Sequence, residues 1–137
     1  MRKKSKSYLI IGMGRFGSAI ATELCQIKHE VMVVDENEER VAAIAHQVTE
    51  ALVGDAKDEA VLRALGVNNF DATIVSIANK LKDSILITMM LKEMGAKHLI
   101  CKAQSELHEK ILYKIGADKV IRPEYEMGRQ TAHLMEQ

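Results

Sequence analysis

No surplus of charge of either sign marks this chain: 19 lysines and arginines are matched by 19 aspartates and glutamates, for a formal net charge of +0. That balance excludes a broad basic face of the kind that holds nucleic acid by its phosphates. The one basic cluster, Arg2, Lys3, Lys4 and Lys6, sits at the start, where a solvated chain end is expected. Also missing is any apolar run near the roughly 20 residues that cross a bilayer. No secretory leader with an apolar middle is visible, so a cytoplasmic chain is expected. The 2 cysteines, Cys25 and Cys101, lie far apart without paired spacing, as free thiols in a reducing compartment do. A length of 137 residues suits one domain, able to bury roughly two-thirds of its unfolded surface.

The chemistry of hydride transfer is missing as well. Tyr113 is followed four residues on by Ala117, and Tyr125 by Arg129, so neither forms the Tyr-Lys dyad of short-chain dehydrogenases. His29, His46, His98, His108 and His133 are scattered, and His98 and Cys101, three apart on a predicted strand, point to opposite faces. Asp35-Glu36-Asn37-Glu38-Glu39 has the start of a calcium loop, but Arg40 stands where that loop requires glycine. No metal site and no catalytic residue is therefore expected.

What is present is a glycine fingerprint in the right surroundings. Tyr8-Leu9-Ile10-Ile11 reads as an apolar strand, followed at once by Gly12-Met13-Gly14-Arg15-Phe16-Gly17 at the mouth of a helix. Gly12 allows the tight turn, Gly14 lets backbone approach a pyrophosphate, and Gly17 lets the helix pack against the strand, while the helix amino-terminus offers free N–H groups to phosphate. About twenty residues on, at the end of the apolar run Val31–Val34, Asp35 supplies a carboxylate able to bind both hydroxyls of an adenosine ribose. The same charge disfavours the 2′-phosphate of NADP.

Short β-branched runs alternate with helical patterns along the whole chain. Strands are predicted near Tyr8–Ile11, Val31–Val34, Thr49–Val53, Ala72–Ile77, His98–Lys102 and Lys119–Ile121, and helices near Arg15–Ile27, Glu38–His46, Glu59–Leu65, Lys82–Met94 and Glu106–Ile115. Asn37 and Ser105 are expected N-caps, with Gly66, Gly95 and Gly116 at helix ends. The fold class is α/β: a Rossmann-like, doubly wound six-stranded parallel sheet, order 3-2-1-4-5-6, with helices on both faces and a ligand crevice above the carboxyl ends at the switch between strands one and four. Residues 1–123 form this lobe. Residues 124–137 read as the start of a further helix, whose stripe Met127, Thr131, Leu134 and Met135 needs cover, either from its own sheet or, as favoured here, from a partner subunit or further lobe.

These residues together resemble the RCK (KTN) domain of bacterial Trk/Ktr-type potassium-transport regulators. The resemblance rests on Ile11 to Gly17, on Val34-Asp35 before Asn37-Glu38, on Gly54-Asp55-Ala56, on Asn69-Phe70-Asp71, on Cys101-Lys102-Ala103-Gln104, and on Ile115-Gly116-Ala117-Asp118 running on to Arg122-Pro123-Glu124. It implies that Gly12, Met13, Gly14, Arg15 and Phe16 line the phosphates and that Asp35 takes the ribose with Glu36 and Asn37. It further implies that Gly54, Asp55 and Ala56 flank adenine. Ile77-Ala78-Asn79 after strand four, Lys102-Ala103-Gln104 after strand five and His108 would share the rim.

The implied ligand is NAD(H) or ATP/ADP. Glu124 would reach the phosphate end from a neighbouring subunit, with a divalent cation bridging it to ATP, and Arg15 would favour a terminal phosphate. The implied role is not enzymatic: a cytoplasmic regulatory subunit, peripheral to the inner face of the membrane, gating a potassium channel or transporter and assembled as dimers and an octameric ring, without nucleic acid. The rival is a cofactor-binding fragment of an NAD-dependent dehydrogenase. Two stretches depart from the family wording: Lys57 replaces a hydroxyl expected to cap the next helix, and Asn79-Lys80-Leu81-Lys82-Asp83 is less apolar than usual.

Overall fold

The structure is a computed structural model and describes residues 4–137. Arg2 and Lys3 of the basic cluster lie outside the described residues, while Lys4 and Lys6 are exposed. Six strands, β1 (Ser7–Ile11), β2 (Glu30–Asp35), β3 (Glu50–Val53), β4 (Ala72–Val75), β5 (His98–Lys102) and β6 (Lys119–Ile121), form one all-parallel sheet in the order β3-β2-β1-β4-β5-β6. Between them run α1 (Arg15–Gln26), α2 (Glu38–Ile44), α3 (Glu59–Leu65), α4 (Leu81–Glu93) and α5 (Glu106–Lys114), and α6 (Pro123–Met135) follows β6.

The strands read as near-continuous apolar runs because both faces of a parallel sheet are covered. One face places Leu9, Ile11, Val75 and Leu99 against Leu62 of α3, Ile87 and Leu91 of α4, and Leu112 of α5. The other places Ile10, Val31, Val33 and Ile74 against Ala21 of α1 and Ile44 of α2. The register sets Ile11 beside both Val34 and Val75, so β1 and β4 end flush, β2 runs one residue further to Asp35, and their carboxyl ends share one rim.

The caps form as the residue types require. The Asn37 side chain accepts the Arg40 N–H at 3.0 Å, and Ser105 accepts the His108 N–H at 3.1 Å. Gly66, Gly95 and Gly116 have φ of 65°, 80° and 117°, the left-handed conformation that ends a helix most easily without a Cβ.

Several boundaries differ from expectation. β4 stops at Val75 rather than Ile77: the Ser76 N–H still donates to Ile11 O at 2.8 Å, but the N–H groups of Ile77 and Ala78 donate to no acceptor among the described residues, so the ladder ends there. The second helix ends at Ile44 and tightens into a 3-10 turn at Ala45–Gln47. Lys57 does not take the capping position before α3; Asp58 does, accepting the Ala60 N–H at 2.9 Å. α6 begins at Pro123, one residue before the expected boundary, since proline suits a first helical turn whose N–H would be unpaired. α6 has no buried residue, and Met127, Leu134 and Met135 are exposed, so its stripe is not covered by its own sheet.

Candidate functional site

The glycine turn is built by three contacts that no larger residue would permit. Gly12 has φ of 95°, and its N–H donates to Val34 O at 2.9 Å, fastening the end of β1 to β2. A Cβ on Gly12 would lie 2.8 Å from Ile77 Cγ1, and one on Gly17 would overlap the Gly12 carbonyl oxygen and Ser76 Oγ. Gly14 is different: a Cβ there would meet nothing within 4 Å, so this backbone faces open space. Gly14 caps α1 without a side-chain hydrogen bond. The N–H groups of Arg15, Phe16 and Gly17 donate to no acceptor among the described residues, leaving the positive end of the helix free.

Asp35, 9% exposed, stands beside this turn. One carboxylate oxygen accepts the Met13 N–H at 2.7 Å, the other accepts the Asn37 N–H at 2.8 Å, and Arg40 Nη1 lies 3.8 Å away. An ionised carboxylate has about four acceptor positions, so two remain for a diol. Ser76 completes the corner from β4: its hydroxyl lies 3.2 Å from Ile11 O and 2.5 Å from Gly12 O.

Above these residues opens a cleft of about 410 Å³ at the carboxyl ends of the strands. It is lined by Gly12, Gly14, Asp35, Glu36 and Asn37, by Gly54, Asp55 and Ala56 after β3, by Ile77, Ala78 and Asn79 after β4, and by Lys102 and Gln104 after β5. The rim is charged but balanced, with Arg40, Lys57, Lys80 and Lys102 set among Asp35, Glu36, Asp55 and Asp83. A second cavity of about 410 Å³ lies at the opposite ends of the strands, between Glu30, Glu50, Leu65 and Phe70. Among the described residues its wall carries no cation, and its two glutamates would repel phosphate, so it is the poorer site for an anion.

Six of the expected residues do not line the cleft. The Met13 side chain packs in the core and its N–H is taken by Asp35. Ala103 is fully buried, with its N–H donating to Ile121 O at 2.9 Å. Phe16 is half-buried, its ring 5.8 Å from Lys102 Nζ. Arg15 is exposed and makes no ion pair among the described residues. The Glu124 side chain is 80% exposed and, among the described residues, pairs only with Lys102, at 4.0 Å.

His108 is the clearest correction. It is buried, with Nδ1 accepting the Gln104 N–H at 3.3 Å, which places the ring proton on Nε2, 2.9 Å from Ser84 Oγ on α4. Burial holds its pKa below the ordinary 6.5, so it is a neutral brace between α4 and α5. The Cys101 thiol is likewise inert, pushed up to about 11 by burial. Tyr113 also serves the fold, its hydroxyl accepting the Val120 N–H at 3.0 Å.

The sequence reading missed Ser76, Arg40, Lys57, Lys80 and Asp83 as wall residues. Only Ser76 carried a signal, a lone hydroxyl ending an apolar strand at the switch point. Among the described residues no group of three or more His, Cys, Asp or Glu is placed to hold a metal ion, and no helix is long and apolar enough to cross a membrane.

Comparison with known proteins gives this geometry a family. The TrkA-N domain profile matches residues 8–123. Two relatives from Bacillus subtilis, Ktr system potassium uptake proteins C and A, are each 44% identical, over 93% and 98% of this chain. The chain spans 58% and 60% of their lengths. Among solved structures, the TrkA-N domain of the inner membrane protein ybaL from Escherichia coli superposes with TM-score 0.85 at 20% identity, covering 97% of this chain and 98% of that one. The GsuK channel bound to NAD superposes with TM-score 0.75 at 19% identity, covering 86% of this chain and 21% of that one. The chain belongs to the TrkA-N domain family.

Proposed function

We propose, from that membership, that this TrkA-N domain binds an adenine nucleotide in the cleft and passes its occupancy to a membrane potassium channel or transporter. One observation carries the reading. The buried Asp35 carboxylate keeps two acceptor positions toward the same cleft into which the open Gly14 backbone faces, beside the unpaired first turn of α1. A diol and a diphosphate are the groups such a pair holds.

The ribose would rest on Asp35, with Glu36 and the Asn37 amide beside it, and the diphosphate on the amides of Gly14 to Gly17. The base would lie between Gly54, Asp55 and Ala56 on one wall and Ile77, Ala78 and Asn79 on the other. NAD(H), ADP and ATP share the adenosine diphosphate that these groups meet. The NAD carried by a structural neighbour and the potassium uptake named for the sequence relatives support the reading from outside the chain.

Control of transport would follow from unequal affinity for two assembled states, since a ligand shifts an equilibrium only by its differential binding. Assembly into dimers and an octameric ring would bring a neighbour's Glu124 toward the phosphate end, where Arg15 is exposed and free to meet a terminal phosphate. A divalent cation there would relieve the repulsion between Glu124 and ATP. Titrating the purified chain with NADH, ADP and ATP in a calorimeter, with its mass in solution followed in parallel, tests this. Saturable heat is expected from each ligand, and no heat at millimolar concentration overturns it.

A further inference from the structure

The wall of the cleft between β4 and α4 is held from outside itself. Among the described residues, the backbone N–H groups of Ile77, Ala78, Asn79 and Lys80 donate to no acceptor. The loop is tied down at its start by Ser76 and at its end by the first turn of α4. Between those points the links to the opposite wall are ionic. Lys80 Nζ lies 3.7 Å from Glu36, which follows β2, so this pair passes over the end of β1 and the glycine turn. Lys57 Nζ, after β3, lies 3.5 Å from Asp83 in the first turn of α4 and 3.9 Å from Asp55. All five residues line the cleft.

We propose that these two pairs form an electrostatic clasp across the mouth of the cleft, holding the β4–α4 wall closed and setting how fast a nucleotide enters and leaves. The proposal rests on the nucleotide reading above but is tested separately from it. The pairs are exposed enough for each to contribute little and to be screened by salt. A clasp present in both empty and filled cleft slows entry and exit alike. Its signature is therefore a change in both rate constants with little change in Kd. Loss of a direct ligand contact would instead raise the dissociation rate and Kd together, as most contact losses do.

Hydrogen exchange of the Ser76 and Ser84 amides, which are bonded to Ile11 O and Lys80 O at the two ends of this loop, reads the clasp in the nucleotide-free protein without any ligand. Lys80→Gln and Asp83→Asn are each expected to quicken exchange roughly two- to fivefold, the scale of an exposed ion pair. Added salt should do the same to the wild type but not to the double variant, and Lys80→Arg should restore slow exchange. Stopped-flow binding of ADP should then show association and dissociation both faster by a similar factor in Asp83→Asn, with Kd unchanged. Exchange indifferent to the substitutions and to salt overturns the clasp whether or not ADP binds, and so does a change in Kd without a change in association rate. Exchange that responds as expected in a protein that binds no nucleotide leaves the brace standing and removes the nucleotide reading instead.

Discussion

The Met13 N–H donates to the Asp35 carboxylate at 2.7 Å, which joins the glycine turn after β1 to the end of β2 through a side chain that also faces the cleft. Structural and binding roles therefore meet in one residue. In Asp35→Asn, only one side-chain atom still accepts, so either the Met13 or the Asn37 N–H loses its partner in a largely buried place. The expected cost is about 1–3 kcal/mol, read as a lower denaturant midpoint, together with loss of nucleotide heat. Unchanged stability would mean that the carboxylate does not organise the turn.

Gly17→Ala tests the turn from its other side. The added methyl would overlap the Gly12 carbonyl oxygen, which belongs to backbone and cannot swing aside. Destabilisation of about 3 kcal/mol or more is expected from overpacking against a fixed group. Gly14→Ala has open space and should stay folded while weakening phosphate binding, so thermal unfolding and calorimetry separate the two glycines.

The legible part of this protein was local. Gly12, Gly17 and Asp35 announce themselves because a tight turn, a close helix-strand approach and a strand-end carboxylate each depend on a few neighbouring residues. Asn37 and Ser105 were readable as caps for the same reason. Lys57, Lys80 and Asp83 were not readable as wall residues, because their partners come from across the sheet. His108 was misplaced as a rim residue, since nothing in its own helical turn reveals that Ser84 waits on α4. The end of β4 falls short of Ile77 because its neighbour β1 ends at Ile11, more than sixty residues away in sequence, and beyond Ser76 the chain finds no strand to pair with among the described residues.

His108 gives a pH prediction. Its folded pKa lies below the ordinary 6.5 through burial, so the unfolded chain binds more protons as pH falls through that value. The contribution is fully present above about 6.5 and is lost on acidification below it. Denaturant midpoints should fall from pH ~7.5 to ~5.5, and His108→Gln, less stable at neutral pH, should show a flatter dependence. Asp71, whose carboxyl is held low by the Ser7 N–H, acts in a separate window: its contribution is present above the ordinary 3.8 and is lost as pH falls below it.

Arg15 discriminates among ligands. Its side chain is exposed at the first turn of α1 and available to a terminal phosphate, while the diphosphate shared by all the nucleotides would rest on backbone amides that its removal leaves in place. Arg15→Ala should weaken ATP much more than NAD in parallel titrations. Equal loss for both would refute its role in recognising a terminal phosphate.

The central claim is that the cleft at the carboxyl ends of β1, β2 and β4 holds an adenosine diphosphate. Amide chemical shifts of the isotope-labelled chain, followed as ADP is added, test it most directly. Saturable shifts are predicted at amides 12–17, 35–37, 54–56 and 77–80. Shifts confined to the opposite ends of the strands, around Glu30, Glu50 and Phe70, or no shifts at all, would contradict it.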